Sequence, residues 1–518
     1  MHKPAGMNRQ AKRDSKTEKY LLYGILILLT AGYAVLMFLS EGTIGGADDM
    51  THYRYSRYAY QIPYFFIHHW GKPFFTAVTS PFAQFGWNGV RFFNILAAIT
   101  AAYFTYRTAR LLKFSFPWLA VFLVLSSPVY TMLMLSGMTE ILCSLVLILT
   151  IFLFFKRQYI WSAVLISFIP FVRTETFVMI PLFMLAYAWK GQWKAVPFVF
   201  LGFVFYSIVG SFYFDDILWV IHEMPYKGGA DSVYGTGSLF HYVKRSREIL
   251  GWGLMFLVPA GLLLWLTRPL IDRHRLSASR KNASGKEWLL EMLVVYLPAI
   301  AYYAAHSYVW MTGSGNSVGL IRVMAGVMPS FALLGVLAWS TIWDRIRIPV
   351  FWKSAVTVAF CAFLLYIPHM TYRIPKPLGG EQRLVKEASL WLMDSEYSER
   401  KIYYYDPFFW FFMDMNPYDE DRMRAKVHNR ETPEKNVPEG AIVIWDAHFS
   451  PNEGKLPLER LMDNPHYRLV HLVRKKKPFK VLGGYDYEIY IFERILEKAA
   501  VDNHAIYDRL LQKILESA

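Results

Sequence analysis

The side chains most able to do chemistry crowd into one stretch, Gly45 to Arg57, GGADDMTHYRYSR. Asp48 and Asp49 follow directly on an apolar run long enough to cross a bilayer. His52, Arg54 and Arg57 come next, with tyrosines between them. Charges at the mouth of a membrane-spanning helix are costly unless they are wetted, paired or used. One carboxylate there can take a proton as general base, while its neighbour orients it, binds a sugar or helps to hold a divalent ion, Mg or Mn. Guanidinium groups grip phosphate oxygens two at a time. An isolated Asp-Asp on a soluble protein reads first as a solvated turn; its place beside an apolar helix reverses that preference.

Further along, Arg173 and Glu175 lie deep in the apolar stretch Tyr159 to Trp189, and Arg322 opens another apolar run. Arg54, Arg57, Arg173 and Arg322 are therefore the candidate phosphate ligands. The competing reading is snorkelling at the membrane surface for Arg54 and Arg57. For Arg173 it is a structural ion pair with Glu175, although residues two apart do not face each other on a helix. His52, Glu140, Glu175, His222 and Glu223 are candidates for contacting a sugar or acceptor, with Glu140 also readable as a capping or surface acid. Asp215, Asp216, His222 and Glu223 lack the spacing of a known metal site, and loop solvation is the plainer account. His68-His69 reads as interfacial, and Arg474 to Lys477 as a solvated edge or a contact for anionic head groups.

These residues need a scaffold, and the composition names it. Of 518 residues, 54% are hydrophobic and only 18% charged, far from a soluble protein of this size. The apolar residues fall in blocks of about 18–22, the length that spans a hydrocarbon core. The net charge of +15 sits largely in short loops between those blocks, which orients a membrane chain and argues against nucleic acid. Cys143 and Cys361 both lie inside apolar runs, so neither a disulfide framework nor a thiolate metal site is expected. No small-residue cleavage site follows the first run, which should stay as a helix.

The expected fold is a polytopic α-helical membrane protein of about eleven transmembrane helices with a small α/β domain at the carboxyl end. Residues 1–18 form a cytoplasmic tail, 19–371 the transmembrane domain, and 372–518 the extracytoplasmic domain. The first outer loop, 41–90, should hold interfacial helices and the aspartates. Tyr159 to Trp189 has basic residues at both ends, so it must cross twice, as two short helices meeting at Arg173 and Glu175 on the outer side. Gly228 to Ser238 reads as a mobile glycine-rich loop. In the last domain, Gly380 to Met393 has the pattern of an amphipathic helix. Residues 401–405, 441–445, 467–473 and 487–492 read as strands, and 494–517 as a closing helix.

A first helix followed by an outer loop that opens with Asp-Asp resembles the GT-C superfamily of polyprenyl-phosphate-sugar-dependent glycosyltransferases. GKPFF and GWNGVRFFN look like the bacterial protein-mannosyltransferase and aminoarabinose-transferase branch, and PFVRTETFVMIP is similar to an Arg-x-Glu segment seen there. The resemblance implies a membrane hexosyltransferase that takes a sugar, expected to be mannose-like, from a polyprenyl-phosphate donor. The reaction inverts the anomeric centre and passes the sugar to a protein, lipid or glycan acceptor on the extracytoplasmic side. It makes Asp48 the catalytic acid group and Asp49 its neighbour, where family members often have Asp-Glu. The setting implied is a bacterial inner membrane. A transporter or an envelope-assembly protein without catalysis is the alternative, but a transporter should show two related halves with broken helices, which this chain lacks.

Overall fold

The computed structural model describes residues 5–225, 235–275, 278–314, 317–496 and 501–516. The chain divides into two compact units. The larger comprises Met1–Gly45 with His52–Pro377, and the smaller comprises Gly46–Thr51 with Leu378–Ala518. Lys227, Asp231 and most of the glycine-rich loop lie outside the described residues.

The larger unit is helical. Among the described residues six helices are long and apolar enough to cross a membrane: Glu18–Leu39, Trp193–Phe214, Ser246–Arg268, Gly285–Thr312, Ile321–Arg345 and Val350–Thr371. Glu140–Phe155, Tyr159–Phe171 and Thr174–Trp189 are apolar but shorter. The chain is an integral membrane protein. The other expected crossings are interrupted or polar. Residues 117–135 break into helices Leu119–Leu125 and Pro128–Met134, because Pro128 cannot continue the first helix. Trp87–Leu111 is 25 residues long but carries Arg91, Asn94, Arg107 and Arg110. The first helix runs from Ala5 to Leu39, so the described part of the amino-terminal tail is helical rather than extended.

Packing follows residue size. Gly261 in the helix Ser246–Arg275 faces the helix Met328–Arg345 so closely that a Cβ would meet the Leu334 carbonyl oxygen at 2.1 Å. Small residues let membrane helices approach in this way, where there is no water to drive them together. Two hydrogen bonds join the exit of the first helix to the strand of chain leaving the last. The Lys376 amide donates to Ser40 Oγ at 3.0 Å, and the Gly42 amide donates to the Lys376 carbonyl at 3.0 Å. The expected interfacial helices are present as Ala47–Tyr58, a 3-10 turn Pro63–Phe66 and Pro73–Ala83. The next helix starts at Trp87, a few residues before the expected end of the loop.

The smaller unit holds a mixed sheet. Its strands are β1 (Ile402–Tyr404), β2 (Met423–Ala425), β3 (Ile442–Asp446), β4 (Tyr467–Arg474) and β5 (Glu488–Arg494), in the order β2-β1-β3-β5-β4. β2, β1 and β3 run parallel, while β5 is antiparallel to β3 and β4. β1 and β3 are buried along their whole length, which is why they read as unbroken apolar runs. The amphipathic helix spans Gly380–Met393 as expected. Two expectations need correction. β2 was not foreseen, since three residues with one exposed end carry almost no pattern. Arg494 ends β5 rather than starting the last helix, which runs Asn503–Glu516. The basic run is less solvated than its composition suggests, because Arg474 is ion-paired to Glu488 at 2.5 Å.

Asp446, at the carboxyl end of β3, is fully buried. Its Oδ1 accepts from the amides of His448 (3.1 Å) and Phe449 (2.6 Å). Burial pushes its carboxyl up to about 6, and burial together with Asp446 pushes Asp406 up as well. A carboxyl raised on folding stabilises the fold when protonated, so that contribution is present below its unfolded value near 4 and is lost as pH rises through about 6. Melting curves of the full chain at pH 4.5 and 7.5 should therefore show Asp446→Asn gaining on the wild type at the higher pH. An equal difference at both pH values would contradict the assignment.

Candidate active site

The chemistry of the larger unit converges where its sequence interrupts a helix. Helix Tyr159–Ser167 passes into a 3-10 turn at Ile169–Phe171, then breaks at Arg173, whose backbone is extended (φ −148°, ψ 114°). A second 3-10 stretch, Thr174–Met179, leads into helix Ile180–Trp189. Pro170 and Pro181 bracket the break, each removing an amide donor that a continuous helix would need. This is the expected pair of short helices meeting at Arg173 and Glu175.

The break decides how Arg173 is partnered. On extended backbone, residues two apart share a face, so Arg173 and Glu175 do meet. Arg173 Nε lies 2.7 Å and Nη2 2.5 Å from Glu175 Oε1. Nη1 lies 2.6 Å from Glu140 Oε1 and donates to Thr139 Oγ1 at 3.2 Å. The expectation that spacing on a helix would keep Arg173 and Glu175 apart is thus corrected by the loss of the helix. Glu140 is no surface acid either. It is fully buried in the first turn of helix Glu140–Phe155, where the amino-terminal end of the helix favours negative charge.

Arg322 completes the ring. Its Nε is 3.6 Å from Glu140 Oε1, and its Nη1 donates to the Gly45 carbonyl at 3.2 Å. Gly45 is the last residue of the first-helix segment, three positions before Asp48 in the chain. Three groups that sequence reasoning passed over also join. His306 Nε2 lies 3.4 Å from Glu175 Oε1, and the buried Tyr302 hydroxyl lies 3.2 Å from the same oxygen. They are four residues apart on one helix face, a spacing visible in the sequence. Lys72 is buried, with φ +63°, and its Nζ donates to Thr174 Oγ1 at 2.9 Å. A lysine between Gly71 and Pro73 in an aromatic segment was the available signal. Arg173, Arg322 and Lys72 thus gather around Glu140 and Glu175 in an apolar bundle.

The remaining candidates each have a local setting of their own. Asp48 and Asp49 open the helix Ala47–Tyr58, Asp49 fully buried and Asp48 half-buried. The Asp49 amide donates to the Gly46 carbonyl at 3.1 Å, and the helix amino terminus favours both carboxylates. His52 stacks on Trp70 at 4.9 Å between ring centres, and Arg54 lies over Tyr55 at 5.4 Å. Arg57 donates to the Gln84 carbonyl at 2.6 Å, so it caps the end of helix Pro73–Ala83. His222 pairs with Asp216 at 2.6 Å in an exposed turn, and Glu223 is exposed beside it. Among the described residues, no three His, Cys, Asp or Glu side chains are arranged to hold a metal ion. The buried carboxylates of the cluster are already neutralised by guanidinium groups and do not fit a divalent cation.

Neither a protein-family model nor a curated protein sequence matches this chain. Its fold does have solved counterparts. The crystal structure of ArnT from Cupriavidus metallidurans bound to undecaprenyl phosphate superposes with a TM-score of 0.56 at 11% identity. It covers 92% of this chain and 99% of ArnT. The apo structure of the same protein gives 0.56 at 12% identity over the same shares. The chain shares the ArnT fold.

Removing one member of a buried ion pair strands its partner and costs about 3 kcal/mol or more. Glu140→Gln is expected to destabilise the larger unit by about that amount, and its combination with Arg173→Met to cost less than the sum of the two single changes. Thermal unfolding of the detergent-solubilised variants reads this out. A Glu140→Gln protein as stable as wild type would refute the pairing.

Proposed function

We propose that this chain is an inverting glycosyltransferase of the GT-C type that moves a sugar from a polyprenyl-phosphate donor to an acceptor on the outer face of a bacterial inner membrane. The observation that carries the reading is the cluster of Arg173, Arg322 and Lys72 with Glu140 and Glu175, charges that are costly to keep in an apolar bundle. The likeness in fold to ArnT, in one structure holding undecaprenyl phosphate, supports a polyprenyl-phosphate donor. The sequence resemblance of the aspartate loop and of the Arg-x-Glu segment supports the reaction class.

In this reading the donor phosphate lies against the guanidinium groups of Arg173 and Arg322 and the ammonium of Lys72. Their positive charge stabilises the phosphate as its bond to the anomeric carbon breaks. Glu140 and Glu175 hold Arg173 in one orientation and keep the net charge low before the donor arrives. Asp48 takes the proton of the acceptor hydroxyl as that oxygen attacks the anomeric carbon from the face opposite the phosphate, which inverts the centre. Asp49, fully buried, positions the turn that carries Asp48. Arg54 remains a candidate for the phosphate and His52 for the sugar, whereas Arg57 is spent on helix Pro73–Ala83. The sugar is a hexose, with mannose as the first to try.

The test is release of polyprenyl phosphate from a panel of polyprenyl-phosphate hexoses in proteoliposomes. Wild type should release it with at least one donor, and Asp48→Asn should lower turnover by roughly a hundredfold or more with its melting temperature unchanged. Arg173→Lys keeps the charge but loses the two-pronged grip, so it should raise KM for the donor and lower kcat together. Release by Asp48→Asn at the wild-type rate would remove Asp48 from the reaction.

A further inference from the structure

A positively charged cavity lies in the larger unit, between the start of the first membrane-spanning helix and the end of Trp87–Leu111. Its volume is about 380 Å³, and its lining includes Lys19, Tyr23, Tyr103, Tyr106, Arg107 and Arg110. None of these residues belongs to the cluster around Arg173.

The two arginines are three apart on one helix and point into the same space. Each is held by a phenol rather than by a carboxylate. Arg107 Nη1 donates to Tyr103 Oη at 2.6 Å, and its guanidinium also lies over the rings of Tyr103 (5.6 Å) and Phe152 (5.5 Å). Arg110 Nη1 donates to Tyr106 Oη at 3.0 Å and lies over that ring at 5.9 Å. Tyr106 is buried and Tyr103 half-buried, so the phenols are fixed posts. A guanidinium has five N–H donors, and most remain available once a phenol has taken one. Glu18 is within electrostatic reach of Arg110, but among the described residues it makes no ion pair with it.

Ordinary topological arginines at a helix end are exposed and solvated, as Arg157 is at the end of helix Glu140–Phe155. Arg107, half-buried, and Arg110, exposed, differ in being orientated by phenol rings around a cavity of ligand size. The cavity lies at the end of a membrane-spanning segment, Glu18–Leu39, the depth at which lipid phosphates lie. Two guanidinium forks and an ammonium on that level match the phosphodiester of a lipid head group. We propose that this cavity is a binding site for the head-group phosphate of an anionic membrane phospholipid, separate from any donor site at Arg173.

The experiment uses the full chain in detergent and counts bound lipid by native mass spectrometry. Phosphatidylglycerol, phosphatidylcholine or inorganic phosphate is added in turn. Wild type should retain phosphatidylglycerol at least tenfold better than phosphatidylcholine. Arg107→Gln combined with Arg110→Gln should abolish that preference, while Arg157→Gln leaves it intact. Arg107→Lys with Arg110→Lys retains the charge and guards against a misfolded double variant; it should weaken retention at least threefold, because the forked donors are lost. Equal retention by wild type and both double variants would overturn the site. So would inorganic phosphate displacing the lipid at millimolar concentration, which would assign the cavity to a free anion. Loss of sugar transfer in the Asp48 variant bears on the other site alone, so the two readings fail independently.

Discussion

A guanidinium in an apolar helical bundle has to be neutralised on the spot, and the position of Arg173 follows from that requirement. Its ion pairs with Glu140 at 2.6 Å and Glu175 at 2.5 Å draw together the start of one helix and the break between two others. Arg322 and the Gly45 carbonyl extend the same network to the end of the first-helix segment. In a low-dielectric setting such a network is costly to assemble and more costly to break, so the helices that supply it are fixed relative to one another. The larger unit is organised around this charge as much as around its apolar core.

That arrangement also accounts for the irregular backbone nearby. A continuous helix from Tyr159 to Trp189 would set Arg173 and Glu175 on different faces and leave each charge unpaired. The prolines at 170 and 181 and the 3-10 turns between them replace intrahelical hydrogen bonds with an extended residue that aligns both side chains. Lys72, held at positive φ beside Pro73, adds local strain next to buried charge. Strained backbone of this kind persists where surrounding contacts over-determine it, and it gathers at functional sites.

The smaller unit shows the same physics around a sheet. Asp406 and Asp446 follow the carboxyl ends of the neighbouring parallel strands β1 and β3, both buried. Backbone amides at 448 and 449 satisfy Asp446, and Glu381 pairs with His448 at 2.7 Å. Burial without a permanent cation raises these carboxyls, whereas the carboxylates around Arg173 each have a guanidinium partner. The contrast separates carboxyls held without a cation from carboxylates held by guanidinium groups.

The amino-acid sequence by itself determined the membrane class, the helix Gly380–Met393, four of the five strands and the break at Arg173. Each rests on a local signal: apolar length, period, proline, or a charge where none is expected. It also marked Asp48, Arg173, Arg322 and Glu175 as candidates by their types. Only the tertiary structure decided that Glu140 is a buried counter-ion rather than a surface acid, that Arg57 caps a helix, and that Tyr302, His306 and Lys72 join the cluster. Those outcomes depend on which helices become neighbours. A side chain's pattern along the chain reports the face it lies on, while its partner is set by other segments of the chain.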